Sequence, residues 1–172
     1  MKYITHQGRL LLFGAFFLSL ISWDRVSKDL ARDHLRNQPA RSYFHNTLRL
    51  EYVENTGAAL SMADHLPPRA SFWLLGILPL ATLLGFLTYL LVRAKDIRTP
   101  RLIALTLIVA GGMGNILDRL LFDRHVTDFM NVGLPILRMG IFNFADVWIT
   151  VGVVWVFVES IGSSVCTRTS LR

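Results

Sequence analysis

The sequence predicts an all-α polytopic membrane protein with four transmembrane helices and a small extramembrane β element. Two observations carry this. Hydrophobic residues make up 52% of 172, with a mean hydropathy of +0.43, and they are clustered. Residues 70–92 form a run of 23 without a charge. At about 1.5 Å per residue that run exceeds a hydrocarbon core of about 30 Å. Length suits one domain covering residues 1–172.

The first span is expected at 10–26. It resembles a secretory signal peptide, with Lys2 and Arg9 ahead of an apolar run. Ser22, Trp23, Asp24 and Arg25 follow instead of a small-x-small cleavage site, so it reads as a retained span. The second is expected at 70–92. The third, 102–122, holds 16 uncharged residues from Leu102 to Leu117. The fourth, 140–161, is uncharged from Val147 to Val158. Loops of 27–69, 93–101 and 123–139 connect them. In the first loop Leu48, Leu50 and Tyr52 alternate with Arg49, Glu51 and Val53, the period of a short strand. Gly57, after Asn55 and Thr56, reads as a turn.

Four crossings place both termini on one side, with the loop Arg93–Arg101 and its four basic residues in nine. By the positive-inside rule that side is cytoplasmic, although the opposite loops also carry Lys and Arg. The net charge of +6 then reads as basic loops against anionic headgroups rather than a nucleic-acid surface. A single cysteine, Cys166, excludes an internal disulfide and a C-x-x-C site. The histidines form no H-E-x-x-H and no G-x-S-x-G is present, so zinc and serine peptidases have no support. No metal or cofactor is called for.

Crossing parity gathers the polar residues of the apolar segments at one face: Asp24, Lys28, Asn55, Asn115, Asp118, Arg119, Asp128, Asn143 and Asp146. Ionisable groups at a membrane boundary are costly, so their convergence points to one site. Asp128 and Asp146, 18 positions apart, are read at two span ends forced to meet. Two carboxylates facing one water is an aspartic-peptidase arrangement. Plainer readings stand beside this one. Asp24 and Lys28, spaced i, i+4, suit an ion pair. Asp118 suits neutralisation by Arg119. Asn115 and Arg119 divide evenly between helix glue and peptide binding. Asn143 suits a helix N-cap and Asp146 a helix-dipole partner. Gly111, Gly112 and Gly114 allow close helix approach. A proton- or ion-coupled transporter and a non-enzymatic assembly factor are the rival functions. Crowding of polar groups at one face, rather than along a path across the membrane, argues against transport.

The motifs WDRVSK (Asp24, Lys28), ENTGAAL (Asn55, Gly57), GGMGNILDR (Asn115, Asp118, Arg119), VTDFM (Asp128) and FNFADVWI (Asn143, Asp146) occur in that order. In this the chain resembles the bacterial lipoprotein signal peptidases, or signal peptidase II. The resemblance implies an inner-membrane aspartyl endopeptidase that cuts diacylglyceryl-modified prolipoproteins before the lipidated lipobox cysteine. It implies Asp128 and Asp146 as the catalytic pair, choosing them from the six pairs that Asp118, Asp123, Asp128 and Asp146 allow. Asn55, Gly57, Asn115, Arg119 and Asn143 match positions of substrate binding or dyad support, while Asp24, Lys28 and Asp118 are structural. The resemblance further implies a periplasmic β-like cradle and a short mobile periplasmic helix in 27–69. Its expected partners are membrane lipids and globomycin-type inhibitors as well as the substrates.

Overall fold

The computed structural model describes residues 5–56, 67–134 and 136–169. Four helices are long and apolar enough to cross a membrane: His6–Leu35, Phe72–Arg93, Thr99–Leu121 and Phe144–Ile161. The first, α1 (His6–Leu35), runs nine residues beyond its expected end at Val26. Its extension stays helical because Ala31 and Leu35 are buried against Phe129 of the sheet, although its other face is charged.

The second span is not one α-helix. A turn, α2 (Pro68–Ser71), leads through a π-helical stretch, Phe72–Ile77, into α3 (Leu78–Arg93). Pro79 has no N–H to offer the carbonyl of Leu75, and its ring crowds that carbonyl, so the widened turn falls just before it. Helix α4 (Thr99–Leu121) is the buried centre of the bundle, with Ala104, Val109, Ala110 and Ile116 inside. Helix α5 (Phe144–Thr169) packs tightly along it. A Cβ on Gly152 would stand 2.6 Å from the Ala104 carbonyl oxygen, and one on Gly114 would stand 2.5 Å from Asp24 Oδ2. Gly112 faces Leu83 of α3 in the same way, at 2.9 Å. A larger residue at any of them would push a neighbour aside, as the small-residue reading of 111–114 anticipates. The outer faces of α3 and α5 show Leu78, Leu84, Leu91, Val154, Phe157 and Val158. Such surface is stable only against lipid.

Between the helices lies a four-stranded antiparallel sheet in the order β1-β2-β3-β4: β1 (Arg41–Tyr43), β2 (Leu48–Asn55), β3 (Val126–Leu134) and β4 (Leu137–Arg138). The alternation at 48–53 correctly marks a strand. Strand β2 runs to Asn55, which pairs with Val126 in the ladder. The segment expected as the loop 123–139 is mostly strand. Asp128 is therefore inside β3, paired in the sheet, and not at a helix end. Asp123 and Arg124 adopt left-handed backbone, with φ of 45° and 69°, and help turn the chain from α4 into β3. Gly57 lies outside the described residues. The described part of 27–69 holds the α1 extension, β1, β2 and the beginning of the second span; no separate short helix is among those residues.

Candidate active site

Asp128 reaches the site through strand register. On β2–β3, Val53 pairs with Asp128 and Asn55 with Val126. Val53 and Asn55 share one face of β2, so Asn55 is the diagonal neighbour of Asp128. Its Nδ2 donates to Asp128 Oδ2 at 2.9 Å. Asp146 reaches the site through a helix start. Asn143 N donates to Asp146 Oδ2 at 3.1 Å, and Asp146 N donates to Asn143 Oδ1 at 3.0 Å. That reciprocal pair is a capping box with Asp at its third position. The N-cap reading of Asn143 is thus correct, and the cap also fixes Asp146.

Asn143 joins the two carboxylates. Its Nδ2 donates to Asp128 Oδ1 at 2.6 Å and approaches Asn115 Oδ1 at 3.1 Å. Asn115 Nδ2 in turn donates to Asp146 Oδ1 at 2.8 Å. Asp128 is 3% exposed and Asn143 is fully buried, whereas Asp146 is half-buried. Loss of water pushes the Asp128 carboxyl up to about 6. Hydrogen bonds from Asn55 and Asn143 and the more remote Lys28 charge oppose the rise, and repulsion from Asp146 adds to it. Among the described residues neither Asp128 nor Asp146 is in a salt bridge. Arg119 donates to the Asn115 carbonyl at 3.3 Å and stands within electrostatic reach of both carboxylates. Its buried Nε has no partner among the described residues.

One layer away, Lys28 is wholly buried between carboxylates. Its Nζ lies 2.8 Å from Asp24 Oδ2, 3.2 Å from Asp118 Oδ2 and 3.1 Å from Asn115 Oδ1. The expected Asp24–Lys28 ion pair is present. Asp118 is neutralised from α1, by Lys28 and by Arg25 at 3.0 Å, and not by adjacent Arg119. This cluster also fastens the site's backbone. Asp24 Oδ1 accepts from Ala145 N at 2.9 Å, and Asp118 Oδ2 accepts from Thr127 N at 3.0 Å. The residues beside Asp146 and Asp128 are held by these two bonds.

Two contributors escape the sequence reading. Arg25 pairs with both Asp118 and Asp29. Arg32 donates to Thr127 Oγ1 at 3.1 Å and, with Arg25, lies over the Phe122 ring. The i, i+4 spacing of Arg25 and Asp29 is the signal that could have found the first. Beside Asn115 and Arg119 an apolar groove of about 520 Å³ opens between α3, α4 and α5, lined by Leu78, Leu83, Ile108 and Ile149.

A family model for signal peptidase (SPase) II matches residues 16–162. The chain belongs to the signal peptidase II family. A lipoprotein signal peptidase of Borrelia turicatae is 29% identical over 153 residues, covering 86% of this chain and 88% of its own. One of Borrelia garinii subsp. bavariensis is 34% identical, covering 81% and 83%. One of Streptococcus agalactiae is 29% identical, covering 87% and 92%. A bacterial membrane enzyme solved by the in meso method at 2.3 Å shares the fold, with a TM-score of 0.73 and 21% identity over 89% of each chain. A signal peptidase II chain with four spans is a multi-pass membrane peptidase, and the transport reading gives way to that.

Proposed function

We propose that this protein is an aspartyl endopeptidase that removes the signal peptide from diacylglyceryl-modified prolipoproteins, cutting before the lipidated lipobox cysteine. Asp128 and Asp146 form its catalytic pair. The observation that carries this reading is the junction at Asn143: its side-chain amide donates to the Asp128 carboxylate and its backbone N–H to the Asp146 carboxylate, and neither carboxylate is ion-paired among the described residues. Carboxylates so placed share a proton and titrate as a pair. One draws a proton from water, which attacks the scissile carbonyl, while the other protonates the carbonyl oxygen. Asn55, Asn115 and Asn143 fix the pair. Arg119, whose Nε has no partner among the described residues, supports the substrate backbone. Gly57 belongs with them on the strength of the resemblance alone.

The groove ending at Asn115 and Arg119 is the natural place for acyl chains or the signal peptide's apolar segment, so lipid supplies binding energy there. The termini are cytoplasmic and the site periplasmic, in the inner membrane, which is where exported prolipoproteins arrive. The sheet then forms the periplasmic cradle, the whole chain is one peptidase domain, and the site is open to globomycin-type inhibitors. Purified protein should cut a diacylglyceryl-modified prolipoprotein peptide before its cysteine and turn over the unmodified peptide more than tenfold more slowly. Equal rates on both would remove the acyl chains from recognition, and no cleavage of either would remove the activity.

A further inference from the structure

The dyad is not symmetric in its surroundings. Asp128 lies on a strand, almost without solvent, and its two donors, Asn55 and Asn143, are neutral side-chain amides. Asp146 is half-buried and sits in the first turn of α5, where the Asn143 backbone N–H donates to it and the helix dipole favours negative charge. Its side-chain donor, Asn115, is also different. Asn115 Oδ1 faces the Lys28 ammonium at 3.1 Å. An amide with its oxygen on a cation must turn its NH₂ the other way, and here that is toward Asp146 at 2.8 Å. The cation polarises the amide, so its donation to a carboxylate is strengthened.

We infer that the resting proton of the pair sits on Asp128 and the negative charge on Asp146, an asymmetry set by Lys28 through the Asn115 amide and by the start of α5. This rests on the dyad reading above. The other charged groups around the pair do not reverse it. From α1, Asp24 and Lys28 face one another, and Arg25 turns to Asp118 and Asp29. From α4, Asp118 is neutralised by Arg25 and Lys28, and Arg119 acts on both members of the pair, more on Asp128 than on Asp146, a pull toward charge on Asp128 that the burial of that carboxyl outweighs. From β2, Asn55 is neutral. Lys28 also acts on Asp128, but less than burial, the Asn55 and Asn143 hydrogen bonds and the Asp146 charge do, and burial raises that carboxyl to about 6 regardless.

The assignment gives each carboxylate one task. Asp146 takes a proton from water while the new oxygen–carbon bond forms. Asp128 gives its proton to the carbonyl oxygen, leaving a gem-diol, Asp146 protonated and Asp128 ionised. Asp146 then protonates the cysteine nitrogen, the carbon–nitrogen bond breaks, and one gem-diol hydroxyl returns its proton to Asp128. The products are a carboxylic acid and an amine, and the resting state is restored.

The test is an infrared pH titration of the full-length protein in lipid, without substrate. A protonated-carboxyl stretch should disappear with a midpoint near 6 and be absent in Asp128→Asn. In Asp146→Asn the stretch should persist at acidic pH with a lower midpoint, because the repelling charge is gone. A stretch lost in Asp146→Asn but retained in Asp128→Asn would overturn the assignment, as would no stretch titrating between pH 4 and 8. Cleavage by the same variants separates this from failure of the dyad itself. If only the assignment is wrong, both variants are inactive; if the dyad is wrong, at least one still cuts.

Discussion

Two pairs of aspartates stand side by side in this protein, and they differ in what lies between them. Asp24 and Asp118 are separated by the Lys28 ammonium, 2.8 and 3.2 Å from their oxygens, and all three are at most 2% exposed. Asp128 and Asp146 are linked through Asn143, whose side-chain amide donates to the first and whose backbone N–H donates to the second, both neutral donors. The first pair is compensated. Its carboxylates share a cation and use spare lone pairs to hold the backbone N–H groups of Ala145 and Thr127. The second pair has no ion-pair partner among the described residues, and on the proposed reading it keeps a proton that can be moved. A cation between two buried aspartates lets both stay ionised, whereas a carboxyl buried beside neutral donors is pushed toward its protonated form.

The largest effect is expected from breaking the compensated pair. Lys28→Met leaves Asp24 and Asp118 buried and facing each other. Removing one partner of a buried ion pair costs about 3–5 kcal/mol, so the purified variant should unfold at much lower denaturant or fail to accumulate. Wild-type stability in Lys28→Met would mean that the cluster does not hold the fold.

The opposite sign is expected in the uncompensated pair. Asp128 is raised to about 6 from an ordinary value of 3.8. A raised carboxyl costs the folded state nothing below the unfolded value. Its cost grows as pH rises through the interval and is complete above 6. About two units at about 1.4 kcal/mol each gives up to about 3 kcal/mol. Asp128→Asn should therefore be more stable than the parent at pH 8, with the gap closing by pH 4. Unfolding curves at the two pH values check this, and a gap independent of pH would contradict it.

Smaller effects come from the groups that connect the two regions. Asn115→Ala and Arg119→Ala should each lower kcat/KM by well over tenfold, about 1.4 kcal/mol or more, while remaining folded. Full activity in either would return that residue to helix packing. The smallest effect belongs to Asp123→Asn. Asp123 is exposed in the turn after α4, so both activity and stability should stay within about 0.5 kcal/mol of wild type. A large loss there would show that the pairs have been drawn wrongly.

The same contrast explains what could be read from the sequence. The four spans were legible because lipid-facing helices must be apolar, and long uncharged runs have few other meanings. The polar residues of one face were legible because they interrupt those runs. Strand β3 was not. Its solvent-shielded positions include Thr127, Asp128 and Asn131, all polar, so the alternation that marked β2 is absent. The site erased the pattern of the element that carries it. The far end of α1 was missed for a related reason. Arg25, Asp29 and Arg32 make it look like a loop, yet they pair with one another, with Asp118 and with Thr127. The role of Asn143 was visible only in part. Its residue type, a favoured N-cap, suggested the cap, but its contact with Asp128 depends on where β3 lies.

The central claim, that Asp128 and Asp146 act as one catalytic unit, is tested most directly by comparing Asp128→Asn, Asp146→Asn and the double variant in one cleavage assay on a diacylglyceryl-modified prolipoprotein peptide, with folding checked in parallel. Each single variant should be folded and lose cleavage, and the double variant should be scarcely slower than either, because residues acting as a unit are not additive. Substantial cleavage by either single variant, or multiplicative losses in the double, would contradict the account.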